Sequence, residues 1–172
     1  MDTEKLKSLF QFNDRSKIKC DSEINNYLIF DNLNAHEAAA IERHLYRRQY
    51  KAGERIVKEG DAAVVLYFLS SGSANVVKSA GNKQIGLASL KPGAFFGEIS
   101  LIEEQKRSAT VIAVEPSEVL CLFQPDFTSI LQKHPSIFTK FLEKFTPILL
   151  ERINTMNEEI LKLRNSEVNP ST

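Results

Sequence analysis

Cysteine is scarce. Two thiols in 172 residues cannot build a disulfide framework. Cys121 falls inside the apolar run Val119-Leu120-Cys121-Leu122-Phe123, so Cys20 and Cys121 are read as reduced thiols of a cytoplasmic protein. A charge excess of one sign is also missing: 22 Lys and Arg balance 22 Asp and Glu. That balance argues against a generic nucleic-acid coat, which neutralises phosphates with surplus basic charge. No apolar stretch approaches the ~18 to 20 residues that span a bilayer. The opening Met1-Asp2-Thr3-Glu4-Lys5 has no apolar core of a secretion signal. Histidine is rare as well: His36, His44 and His134 all fall in segments predicted to be helical. A metal-dependent barrel enzyme needs His and carboxylate ligands on adjacent strands, so no metal is expected. No nucleophile–base pair stands out either, so the chain reads as a non-enzyme. What is present is 42% hydrophobic and 26% charged residues, the composition of a globular protein with room for one good core.

The pattern divides the chain. Residues 1–30 are polar, with Leu6, Leu9 and Phe10 at helical spacing, and read as a loosely docked helical arm or a partner-binding segment. Asn34-Ala35-His36-Glu37 has the form of a capping box and opens a helix predicted over 34–48, with Ala38, Ile41 and Leu45 on its apolar face. Arg43, Arg47 and Arg48 would share an exposed side of that helix, as a solvated face or a surface for an anionic partner. From 49 to 123 turn signals such as Glu59-Gly60-Asp61 and Lys91-Pro92-Gly93 recur about every 8 to 12 residues. Short β-patterned runs lie between them, including Val64 to Leu69 and Val119 to Phe123. The pattern predicts a jelly-roll β-barrel with flanking helices, a mainly β form of the α+β class.

Helices return over 125–164. Pro125 suits a first helical position and Pro135 interrupts that helix. A longer helix then carries Phe138, Leu142, Phe145, Leu149, Ile153, Met156, Ile160 and Leu163, close to a seven-residue repeat. Pro147 predicts a kink or a restart within it. The stripe could pack on the barrel; because it runs on to Leu163, a homodimer seam from about 149 is favoured. Residues 165–172 read as a disordered tail.

One stretch of the barrel region does not look like a strand: Phe95-Phe96-Gly97-Glu98-Ile99-Ser100-Leu101-Ile102, a loop, then Arg107-Ser108-Ala109-Thr110. Gly97 permits close backbone approach, and 98–102 can form a helical turn whose free N–H groups attract an anion. Arg107 offers a permanent cation with a fork of donors, and Glu98 an acceptor for a sugar hydroxyl. The combination suits a sugar phosphate that is bound rather than transformed.

This stretch resembles the phosphate-binding cassette of the cyclic nucleotide-binding domain, found in bacterial catabolite activators and in regulatory subunits of cAMP-dependent protein kinase. The match runs from Phe96 to Thr110, and the wider resemblance covers about residues 30 to 160. It implies that Arg107, Ser108 and the Ala109 N–H hold the cyclic phosphate. Glu98 and the Gly97 backbone would hold the ribose 2′-hydroxyl, with Ser100 in the same ligand-binding turn, and Ile99 and Leu101 would form the apolar side of the cassette, Leu101 contacting the final helices. Val57, Val76 and Ala88 are candidates for the wall around the base, although core filling is the favoured role for each. Arg152, Met156 or Asn157 would cap the base. The sequence departs from many members in carrying Lys106 where they have Pro, and in the loop acids Glu103 and Glu104, which are expected to face water. Only eight residues follow Arg164, too few for a helix-turn-helix, so no DNA partner is expected. The resemblance implies a bacterial stand-alone sensor or adaptor for cAMP, or else cGMP, acting through an effector protein or its own dimer. A nucleotide-free scaffold and a cyclic dinucleotide receptor are the alternatives.

Overall fold

The computed structural model describes residues 23–81, 83–98 and 106–168. Two short 3-10 helices, Glu23–Asn26 and Leu28–Phe30, lead into helix α1 (Ala35–Glu42). Eight strands follow: β1 (Leu45–Tyr50), β2 (Arg55–Val57), β3 (Val65–Ser71), β4 (Ala74–Ala80), β5 (Lys83–Leu90), β6 (Phe95–Phe96), β7 (Thr110–Ala113) and β8 (Ser117–Phe123). Helices α2 (Gln124–Lys133) and α3 (Pro135–Val168) close the chain. The strands form two antiparallel four-stranded sheets, ordered β1-β8-β3-β6 and β2-β7-β4-β5. This is the jelly roll that the strand spacing predicts.

Alternation along β3 and β8 sorts side chains between two cores. Val65, Tyr67, Leu69, Val119, Cys121 and Phe123 point into the barrel. Leu66, Phe68, Leu120 and Leu122 point the other way, onto the helices. Both faces of these strands are therefore buried, which is why each reads as a continuous apolar run rather than an alternating one. In the helical core Phe68 packs on Tyr27 and Phe30, and Phe30 on Phe127 and Phe141. Truncating the fully buried Phe68 to Ala would cost about 3–5 kcal/mol.

The capping box at α1 forms in full: Asn34 Oδ1 accepts from the Glu37 N–H and Glu37 Oε2 from the Asn34 N–H, each at 2.9 Å. The helix stops at Glu42 rather than continuing to 48. Arg43 is its C-cap, and His44 lies in the following turn. His134, also expected in a helix, is instead the C-cap of α2. Arg47 and Arg48 sit on β1 and so face opposite sides of a sheet. Arg47 is bonded to Glu23 and Glu118, while Arg48 lies over the Tyr50 ring at 4.7 Å. The shared basic helix face does not exist. Helical spacing of Ile41 and Leu45 masked the period-two placement of Tyr46 and Tyr50 in the barrel core.

Two further expectations change. The segment from Glu23 to Phe30 is firmly docked, with Ile24, Tyr27, Ile29 and Phe30 buried. Leu6, Leu9 and Phe10 lie outside the described residues. The long helix neither restarts at Pro147 nor ends at 164; α3 is one 34-residue helix to Val168. Its core face is Ile137, Phe141, Phe145 and Ile148, whereas Phe138 and Leu142 are exposed. Among the described residues no helix is long and apolar enough to cross a membrane.

Candidate functional site

Arg107 is placed by its backbone before its side chain does anything. Its N–H donates to the Asp61 carbonyl at 2.8 Å, and its own carbonyl accepts from the Gly60 N–H at 2.9 Å. Thr110 Oγ1 accepts from the Glu59 N–H at 3.0 Å. The Glu59-Gly60-Asp61 turn, a distant piece of sequence, thereby clamps the start of the Arg107 to Thr110 segment.

The guanidinium then enters the barrel. Nη2 donates to the Val65 carbonyl at 2.6 Å and Nη1 to the Gly97 carbonyl at 3.4 Å. Its carbon lies 5.4 Å from the centre of the Tyr67 ring, which stacks in turn on Phe96, its register partner across β3 and β6. Arg107 is only 8% exposed. Among the described residues no carboxylate lies within ion-pair distance of it. Burial pulls its pKa below the ordinary guanidinium value, with the nearby Tyr67 and Glu98 pulling the other way. A buried cation bonded to carbonyls and a tyrosine, with no carboxylate in ion-pair contact among the described residues, is a costly arrangement until an anion joins it.

Gly97 has a φ of 81°, a conformation that disfavours any side chain. It is followed by Glu98, whose buried carboxylate is ion-paired to Arg152 of α3. Arg152 also lies over the Phe95 ring, 5.4 Å from its centre. A cavity of about 650 Å³ opens between these groups. Gly97, Glu98, Arg107, Ser108 and Ala109 form its polar side, and Lys106 reaches it as well. Val57, Val76 and Ala88 line its apolar wall. Val57 is a buried member of the barrel core and Val76 packs partly against it, whereas Ala88 is exposed.

Helix α3 covers the cavity with Glu151, Arg152, Thr155, Met156 and Glu159. Arg152 and Met156 were anticipated; Asn157 is absent from this face, because it stands about 100° around the helix from Met156. Glu151, Thr155 and Glu159 were missed, although their i, i+4, i+8 spacing beside Arg152 and Met156 carried the signal. The Val65 carbonyl and the Tyr67 ring beneath Arg107 had no such signal, since contacts across strands are not written in local sequence. Ile99, Ser100, Leu101, Glu103 and Glu104, with the expected turn at 98–102, lie outside the described residues. Among the described residues no group of His, Cys, Asp or Glu is placed to hold a metal ion.

The arrangement is a pocket with a buried guanidinium at one end, a buried carboxylate beside it and an apolar wall beyond. Comparisons with known proteins agree with it. Residues 47–134 match the family model described as cyclic nucleotide-binding domain. The chain is 34% identical over 110 residues to the cyclic AMP receptor protein of Thermus thermophilus, covering 63% of this chain and 51% of that one. It is 31% identical over 152 residues to glutaminase 2 of Bradyrhizobium diazoefficiens, covering 88% of this chain but 24% of the glutaminase. The chain thus spans about half the length of the first relative and about a quarter of the second. Among solved structures, the catabolite activator protein of Thermus thermophilus superposes with a TM-score of 0.69 at 31% identity, covering 79% of this chain and 62% of that one. With the family model matched across both the clamp turn and the buried arginine, this chain belongs to the cyclic nucleotide-binding domain family.

Proposed function

We propose that the chain is a sensor or adaptor that binds a cyclic mononucleotide, cAMP before cGMP, and passes occupancy through α3 to a partner protein or a second copy of itself. The observation that carries this reading is the buried Arg107 guanidinium, which lines the cavity with no carboxylate of the described residues in ion-pair contact with it. A singly charged cyclic phosphate would neutralise it, with Ser108 and the Ala109 N–H as further donors. Glu98 would accept from the ribose 2′-hydroxyl, and Val57, Val76 and Ala88 would flank the base under Arg152 and Met156. The name of the Thermus relative supports cAMP as the first ligand to try. Residues 31–164 would form the binding unit, in the cytoplasm, with no DNA or membrane partner.

Beyond Leu149 the exposed Leu150, Ile153, Met156, Ile160 and Leu161 give α3 the face for a helical dimer. The test of the binding reading is calorimetric titration with cAMP and cGMP, repeated with Arg107→Ala and with a cyclic dinucleotide as competitor. Saturable binding of cAMP that weakens by about 30-fold or more in the variant is expected, since truncating one partner of a buried charge pair costs about 2–5 kcal/mol. No binding of either mononucleotide would overturn the reading and leave a dinucleotide receptor or a protein-interaction scaffold.

A further inference from the structure

The barrel fixes Arg107 without cancelling its charge. Its guanidinium is bonded to the Val65 carbonyl at 2.6 Å, to the Gly97 carbonyl at 3.4 Å and to the Tyr67 side chain. A carboxylate in the place of Tyr67 would hold the guanidinium at least as firmly, but would neutralise it and compete with an incoming anion. A phenol accepts the hydrogen bond and stays neutral. Burial raises the Tyr67 pKa above the ordinary phenol value, with the guanidinium groups of Arg107 and Arg48 opposing, so the hydroxyl keeps its proton.

The place of Tyr67 in the fold makes it a rigid anchor. It lies within β3, paired with Cys121 of β8 on one side and with Phe96 of β6 on the other. The residue is 3% exposed, and its ring stacks on that of Phe96 with 5.1 Å between centres. Phe96 directly precedes Gly97, so the stack also fixes where the Gly97 carbonyl stands. Val65, two positions before Tyr67, supplies its carbonyl from the same strand. Among the described residues that line the cavity Tyr67 does not appear, so it can reach a ligand only through Arg107. A guanidinium carries more N–H donors than these acceptors engage, and the remainder are there for a ligand.

We propose that Tyr67 is a positioning residue of the anion site: its hydroxyl, a neutral acceptor rooted in the barrel core, holds the Arg107 guanidinium at the cavity with the positive charge left for a phosphate. This role deepens the nucleotide reading and rests on it. Affinity then depends on a hydroxyl that no ligand touches.

The experiment is a double-mutant cycle, read by calorimetric titration with cAMP on the native protein, Tyr67→Phe, Arg107→Ala and the two changes together. Phenylalanine keeps the ring on Phe96 and removes only the hydroxyl. Affinity should fall about tenfold in Tyr67→Phe, whereas the same change on the Arg107→Ala background should alter it by less than about twofold. A general loosening of the barrel would cost the same on both backgrounds. Equal losses would therefore overturn the proposal, as would unchanged or tighter binding in Tyr67→Phe. The same four proteins are also unfolded in urea without ligand, where the two changes should be coupled by about tenfold in the folding equilibrium constant. Additive effects there would overturn the proposal as well. If the native protein binds no cyclic nucleotide, that failure belongs to the nucleotide reading, and the ligand-free cycle still decides whether Tyr67 holds Arg107.

Discussion

A Cβ added to Gly97 would lie 2.3 Å from Nη1 of Arg107 and 2.9 Å from the Val65 carbonyl oxygen. The glycine and the arginine are thus one packing unit, although ten positions separate them. The substitution Gly97→Ala should therefore act on the cation and not only on a turn, because the positive φ and the contact coincide. Nucleotide affinity is expected to fall at least tenfold, about 1.4 kcal/mol. Far-UV circular dichroism should stay native, which separates lost positioning from lost folding.

Stability at low pH should follow the pair of Glu37 with Lys140, whose Nζ lies 2.6 Å from Oε2. The hydrogen bond from Lys140 is the main cause that lowers the Glu37 pKa from 4.5 to about 2; burial opposes it and the Asn34 N–H assists. A depressed carboxylate contributes stability that is complete above its ordinary value and is lost as pH falls toward its folded value. Thermal melts of the native protein should therefore begin to weaken below about pH 4.5 and continue to weaken toward pH 2. Lys140→Met should compress that decline toward higher pH, while a variant at the exposed Lys51 should not.

Cys121 should ignore thiol reagents. Its side chain is fully buried in the barrel core, and burial pushes its pKa well above the ordinary thiol range. The thiolate, which is the reactive form, is correspondingly rare. In a Cys20→Ser background, labelling by a maleimide is expected only on addition of denaturant. Rapid labelling of the native protein would mean that the β3–β8 face opens far more readily than its packing implies.

If distal α3 forms the dimer seam, Ile153→Asp with Ile160→Asp should yield monomers in sedimentation velocity where the native chain sediments as a dimer. Both residues are about half exposed and contribute nothing to either core, so the melting temperature of the barrel measured at low protein concentration should not change. Charged side chains facing each other across a helical seam would cost several kcal/mol per dimer, enough to abolish association at micromolar concentration.

Local chemistry made much of this molecule readable from its sequence. The capping box at Asn34 and Glu37 needs only four consecutive residues, and the cassette from Phe96 to Thr110 keeps its main groups within one short stretch. The barrel strands were legible where turn residues bracket β-branched runs. Strand β1 was not, because Arg47 gains its partners from Glu23 and Glu118, both far away in sequence. The same holds for the long helix. Which of Phe138 or Phe141 faces the core depends on where Phe30 and Phe127 stand, and no periodicity within α3 contains that information. The tie between Glu98 and Arg152 spans 54 positions and joins a loop to a helix, so neither residue signals it alone.

The unbroken passage of α3 through Pro147 has a mechanical meaning. From Leu150 to Val168 the helix rises about 28 Å beyond its last core contacts. A pivot of about 10° at the proline turn would carry the far end by about 5 Å, roughly one helical pitch. A small change of packing near the fulcrum would in this way be geared up to a displacement as large as a side chain.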